Sequence, residues 1–146
     1  MKSIRRILIA TDFSKGANAA ARLAAEWARR LKASVDVVTV VDTLPLVEAY
    51  GDASYRKERA AEIREDARRR VEKFAVDGFS GCGRVRAYVR DGYTSSEIMA
   101  AACELDSDLI VMGTHGRTGI AHLVIGSVAE KVVRKSPVPV LTVRAK

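Results

Sequence analysis

The amino-acid sequence predicts an α/β protein: a five-stranded parallel sheet with helices on both faces. Three observations carry that prediction. Short β-branched apolar runs alternate along the chain with longer alanine-rich or amphipathic stretches, the order that a layered parallel sheet requires. The run DLIVM at 108–112 is nearly unbroken in its apolarity, as in strands covered on both faces. Finally, 146 residues suit one domain, 1–146, able to bury a core without disulfides or metals.

Each element can be justified in order. Residues 4–10, IRRILIA, form the first strand, and Thr11, Asp12, Phe13 and Ser14 break it before a helix carrying Ala20, Leu23, Ala24, Trp27 and Leu31 at helical spacing. Residues 35–41, VDVVTVV, make the second strand. Residues 42–52 contain Pro45 and Gly51 and read as a loop. From about 53 to 77, Ala60, Ile63, Ala67, Val71 and Phe74 mark an amphipathic helix, with Glu65–Arg69 and Asp66–Arg70 as supporting pairs four residues apart. Its Arg68, Arg69 and Arg70 suit either a solvated face or a polyanion site. Residues 84–90, RVRAYVR, alternate as a third strand; Thr94 and Glu97 have the form of a capping box for the next helix. After the strand at 108–112, residues 128–135 form a helix and residues 138–143 the last strand.

Hydrophobic residues at 48% and charged residues at 29% fit a folded globular protein rather than a disordered chain. No apolar run approaches a bilayer's thickness, and the short run at 7–10 is no signal peptide, so a cytoplasmic protein is expected. Cys82 and Cys103 form no CxxC and read as free thiols, the second on an apolar helix face. The net charge of +7 suits a polyanionic partner, but aromatics at 5% and the lack of a recognition motif argue against nucleic acid. No membrane partner is expected either.

Right-handed crossovers put the loops after each strand on one edge of the sheet, and ligands bind there near the point where strand order reverses. The loops starting at Thr11 and Gly113 should meet at that point. The second of them, GTHGRTGIAHLVIGS at 113–127, opens on Gly113 and Gly116 and closes on Gly126–Ser127, where a helix starts. Glycines let a ligand approach the backbone closely, and a helix N-terminus offers N–H groups and partial positive charge to a phosphate. Ser127 can either cap the helix or donate to phosphate, and Arg117 is placed for charge neutralisation. The stretch is neither a Walker A loop nor GxGxxG. His115 and His122 are the only histidines, with no accompanying acidic cluster, so His115 is expected to line this loop and no metal site is assigned to the pair.

The pattern Gly113, two residues, Gly116, nine residues, Gly126–Ser127 resembles the ATP-binding signature of the universal stress protein family. ILIATDFSKGANAA, VVTVVD and SPVPVLTVR are similar to that family's first, second and last strands with their loops. The resemblance implies a Rossmann-like fold of the adenine nucleotide alpha hydrolase type, strand order 3-2-1-4-5, with ATP across strands one and four and Mg2+ or Mn2+ alongside. Ala10 and Asp12 would face the nucleoside, with Asp12 near ribose or the metal, and the Val40 backbone would contact adenine. Met112, Gly113, Gly116, Arg117, Gly126, Ser127 and Val128 would surround ribose and phosphates. It also implies a homodimer through the last strand. The function expected is that of an ATP-binding regulator of the stress response with slow or no hydrolysis, and no catalytic residue is assigned.

Two rivals follow from the residues. An ATPase or phosphotransferase needs a placed base and metal ligands, and beyond Asp12 no second carboxylate is clearly directed at the phosphates. A phospho-receiver domain would use Asp12 and Asp91, but the chain lacks a paired acid beside Asp12 and a lysine ending strand five.

Overall fold

Ile7 and Ile9 join one apolar cluster and Leu8 and Ala10 another, because successive Cβ atoms on a strand point to opposite faces. They belong to β1 (Arg6–Ala10), which must therefore be covered on both sides. The structure, a computed structural model, describes residues 3–49, 51–115 and 125–146. The chain continues through α1 (Lys15–Leu31), β2 (Ser34–Val41), α2 (Leu44–Ala49), α3 (Ala53–Gly78), β3 (Val85–Asp91), α4 (Thr94–Glu104), β4 (Leu109–Gly113), α5 (Ser127–Lys135) and β5 (Val140–Val143). All strand pairs are parallel, in the order β3-β2-β1-β4-β5. The expected fold class and strand order are both observed. On one face α1 and α3 pack on Ile7, Ile9, Val35, Val37 and Val111; on the other α4 and α5 pack on Leu8, Val38, Ile110 and Met112.

α1 begins where the Ser14 hydroxyl accepts from the Ala17 N–H, satisfying one of the donors a helix start leaves unpaired. Its buried stripe is Gly16, Ala17, Ala20, Ala21, Ala24, Ala25 and Ala28. Such small residues let the helix lie close to the sheet. The consequence for the expected stripe is that Leu31 stands outside it, 48% exposed, because the chain turns at Lys32 in the left-handed region. Trp27 packs against the core as expected.

Several local expectations are corrected. Residues 42–52 hold a six-residue helix, α2, rather than loop throughout. The capping box at Thr94 does not form: Tyr93 is the N-cap, with no side-chain bond, and Glu97 instead accepts from Arg90 Nε at 2.8 Å. A charged partner across the strand end outcompetes a neutral backbone N–H. On α3, Arg69 reaches Glu65 only at 3.8 Å, and the Asp66–Arg70 pair is replaced by Arg70 lying 4.3 Å over the Phe13 ring. Arg68 bonds both Glu65 and Glu72, so much of the arginine run is neutralised on its own helix. Cys103 is exposed rather than on a buried face, and both cysteines are free.

Among the described residues, one buried charged residue lies inside the sheet. Asp36, 1% exposed, alternates with the core residues Val35 and Val37 on β2 and pairs in register with Arg86 on β3. Arg86 closes a two-pronged contact on it, Nε to Oδ1 at 2.8 Å and a terminal nitrogen to Oδ2 at 3.2 Å. A buried carboxylate survives only with such a partner. Among the described residues, no helix is long and apolar enough to cross a membrane.

Candidate functional site

From β1 the chain moves outward to β2 and β3, then crosses back to place β4 on the other side of β1. The strand order therefore reverses between β1 and β4, and the loops leaving their carboxyl ends diverge and open a crevice. A cavity of about 520 Å³ occupies it. Ala10, Asp12, Val40, Met112, Gly113, His115, Gly126, Ser127 and Val128 all line this cavity. The structure thus brings together every expected site residue it describes; Gly116, Arg117 and His122 lie outside the described residues.

Three helices start at the cavity. Ser14 and Ala17 of the α1 start, Thr94 of the α4 start and Ser127 to Ala129 of the α5 start line it. The first N–H groups of a helix lack intrahelical partners and carry partial positive charge, so three starts together favour an anion. At α1 the Ser14 hydroxyl takes the Ala17 N–H, whereas the starts of α4 and α5 have no side-chain cap. The N-cap of α5 is Gly126, which has no side chain to cap with, so the capping role open to Ser127 is not taken. Ser127 is the first residue of the helix and exposed.

Gly113 has a packing role beside its place at the cavity. Its backbone is not in the left-handed region, and a Cβ built on it would meet the Gly16 carbonyl carbon at 2.7 Å. A Cβ on Gly16 would in turn meet the His115 carbonyl oxygen at 2.8 Å. Glycine at 113 thus serves the contact of α1 with the end of β4, and the residue also lines the cavity. Gly126 likewise has an ordinary extended backbone, φ −74° and ψ 159°, that any residue adopts.

Asp12 Oδ1 accepts from the Ser14 N–H at 3.0 Å, so the carboxylate braces the turn into α1 as well as lining the cavity. His115 Nδ1 lies 3.0 Å from Thr114 Oγ1. Among the described residues there is no group of three or more His, Cys, Asp or Glu able to hold a metal ion. Asp91 lies at the end of β3, two strands from β1, and is engaged by Thr43 and Arg64, which removes the acid pair a phospho-receiver needs.

The sequence reading missed Ile63, Ile98, Thr39 and Asp42, which also line the cavity. Ile63, expected in the core stripe of its helix, is half-buried and faces the cavity. No local motif distinguishes such a residue, because only the tertiary placement of α3 brings it to the mouth.

Against known proteins, the model of the universal stress protein family matches residues 3–144. The chain is similar to universal stress protein MJ0531 of Methanocaldococcus jannaschii, 33% identical over 142 residues that cover 96% of this chain and 82% of that protein. In structure it is similar to protein MJ0577 of the same organism, with a TM-score of 0.82, 27% identity and 99% of each chain covered. It is also similar to a universal stress protein from Archaeoglobus fulgidus solved in complex with dAMP, with a TM-score of 0.62, 25% identity and 97% and 99% of the two chains covered. With the family pattern running nearly the length of the sequence and a relative one-third identical across the same span, the chain belongs to the universal stress protein family.

Proposed function

We propose that this chain is an ATP-binding universal stress protein, one domain acting in the cytoplasm as a nucleotide-dependent regulator of the stress response, with slow or no hydrolysis. The observation that carries the reading is the cavity at the strand-order reversal, where Ala10, Asp12 and Val40 stand on one side and Gly126, Ser127 and Val128 on the other. Its volume suits a ligand of nucleotide size. The uncapped start of α5 offers backbone N–H groups to phosphate oxygens, and the apolar Val40, Ile63 and Ile98 suit a base. The dAMP complex of the Archaeoglobus fulgidus relative supports an adenine nucleotide as the class of ligand. Mg2+ or Mn2+ would sit on the phosphates with Asp12 as its protein carboxylate, the one- or two-carboxylate arrangement usual for Mg2+ on nucleotides.

The second lining carboxylate, Asp42, accepts from the Leu44 N–H at 3.1 Å and holds the start of α2. β5 is an edge strand, and its Val140, Leu141 and Val143, with Val138 before it, are only half-buried where they pack on the core, which supports the homodimer through that strand.

Calorimetry with ATP and magnesium on the purified protein, with mass spectrometry of small molecules released on denaturation, tests the reading. The expected result is saturable binding of ATP and turnover far below the roughly 10 per second typical of enzymes. An absence of ATP both in the released fraction and in the titration would overturn it. Sedimentation at micromolar concentration reads the dimer, and a monomer there would refute that assembly.

A further inference from the structure

α2 contains no buried residue, and its Leu44 and Val47 are 54% and 59% exposed. Its Leu46 is only half-buried, so apolar burial holds it weakly. Polar ties add to this: Arg56 of α3 donates to the Val47 carbonyl at 3.3 Å, and the ties where the segment leaves β2 converge on one carboxylate. Asp91, at the end of β3, accepts from the Thr43 N–H at 3.1 Å and the Thr43 hydroxyl at 2.7 Å. It also accepts from Arg64 of α3, through Nε at 2.9 Å and a terminal nitrogen at 2.6 Å. The groups that Asp91 joins are neighbours of the cavity lining: Asp42 precedes Thr43, and Ile63 precedes Arg64. α3 has its own anchors in Ala60, Ala67, Val71 and Ala75, so the segment that depends on Asp91 is the one leaving β2. Partial burial disfavours the charged form of Asp91, but the Thr43 and Arg64 hydrogen bonds outweigh it and hold the carboxyl below its usual range.

From this convergence we infer that Asp91 is a positioning residue for the nucleotide site: through Thr43 and Arg64 it holds Asp42 and Ile63 as one side of the cavity mouth, and so sets how long a bound nucleotide stays. The inference rests on the proposed ATP site but adds a residue that lines no part of it. Loosening such a gate acts mainly on escape, because ligand dissociation must wait for the mouth to open.

The test is stopped-flow release of a fluorescent ATP analogue, joined to hydrogen exchange over residues 42–49. Asp91→Asn is expected to raise the off-rate about tenfold with the on-rate changed by less than about threefold. Thr43→Val should raise the off-rate by about threefold, whereas Thr43→Ser, which keeps both donors, should match wild type. Amides at 42–49 should exchange faster in Asp91→Asn and Thr43→Val, while those of β1 and β4 stay protected. An unchanged off-rate in both Asp91→Asn and Thr43→Val, or a Thr43→Ser variant as fast as Thr43→Val, would overturn the inference. If wild type bound no analogue, the nucleotide reading and the positioning role built on it would both fall; exchange at 42–49 would then tell whether Asp91 holds the segment at all.

Discussion

Gly126→Val is expected to abolish ATP binding while the fold stands. Gly126 is the N-cap of α5, its N–H donates to the Thr114 carbonyl, and it lines the cavity between Thr114 and Ser127. Its extended backbone is one that valine adopts without strain, so what the substitution adds is side-chain bulk beside the cavity space that Gly126 lines. That space is where phosphate would meet the N–H groups of the α5 start. Losing this contact should weaken binding by at least about a hundredfold, equal to about 2.7 kcal/mol. The exchange of glycine for a β-branched residue at an N-cap costs stability of only about 1 kcal/mol. Calorimetry and circular dichroism on the same sample separate the two effects. Undiminished affinity would show that the phosphates do not sit at α5. Gly116→Val carries the same expectation from the sequence spacing alone.

For stability rather than binding, the largest loss is expected from Arg86→Met. It removes both donors from Asp36 and leaves a carboxylate buried in the sheet without a partner, at a cost of about 3 kcal/mol. The methionine retains most of the packing that the arginine stem supplies, so the loss reports the orphaned charge. Adding Asp36→Val should restore most of the stability, since an apolar pair of similar volume carries no desolvation penalty. Urea unfolding of the two variants decides it: a single variant within about 1 kcal/mol of wild type would mean that water reaches Asp36 past Arg86.

What the sequence disclosed and what it hid differ by the range of the interactions involved. Ile7 to Ala10 and Leu109 to Met112 announced their strands because burial on both faces leaves an uninterrupted apolar run, and Val35 to Val41 did so through its β-branched residues. The crevice followed from the alternation of strands and helices, and its glycine-rich side followed from the spacing of Gly113 and Gly126. Side chains chosen between two local partners were read less well. Glu97 had a capping position three residues back and a strand arginine seven residues back, and the charge of Arg90 decided. Asp36 within an apolar strand is a signal that went unread, since a buried charge demands a partner, which the structure supplies as Arg86 in the next strand. Asp91 could not be placed from sequence, because its partners Thr43 and Arg64 lie 48 and 27 residues away.

The contact of Gly16 with Gly113 has a mechanical meaning. Two backbones that touch without side chains between them have no rotamers to relax, so the first turn of α1 and the end of β4 translate as one body. Half of the crevice is in effect a fixed jaw, built from the β1 and β4 sides and seated on the most buried strands of the sheet. The compliant jaw is the other one, leaving β2 toward α2. At the proposed nucleotide site, opening and closing are therefore expected to be asymmetric: substitutions that change ligand lifetime should map to the β2 and β3 ends, while those at the glycine contact should register as loss of the folded state.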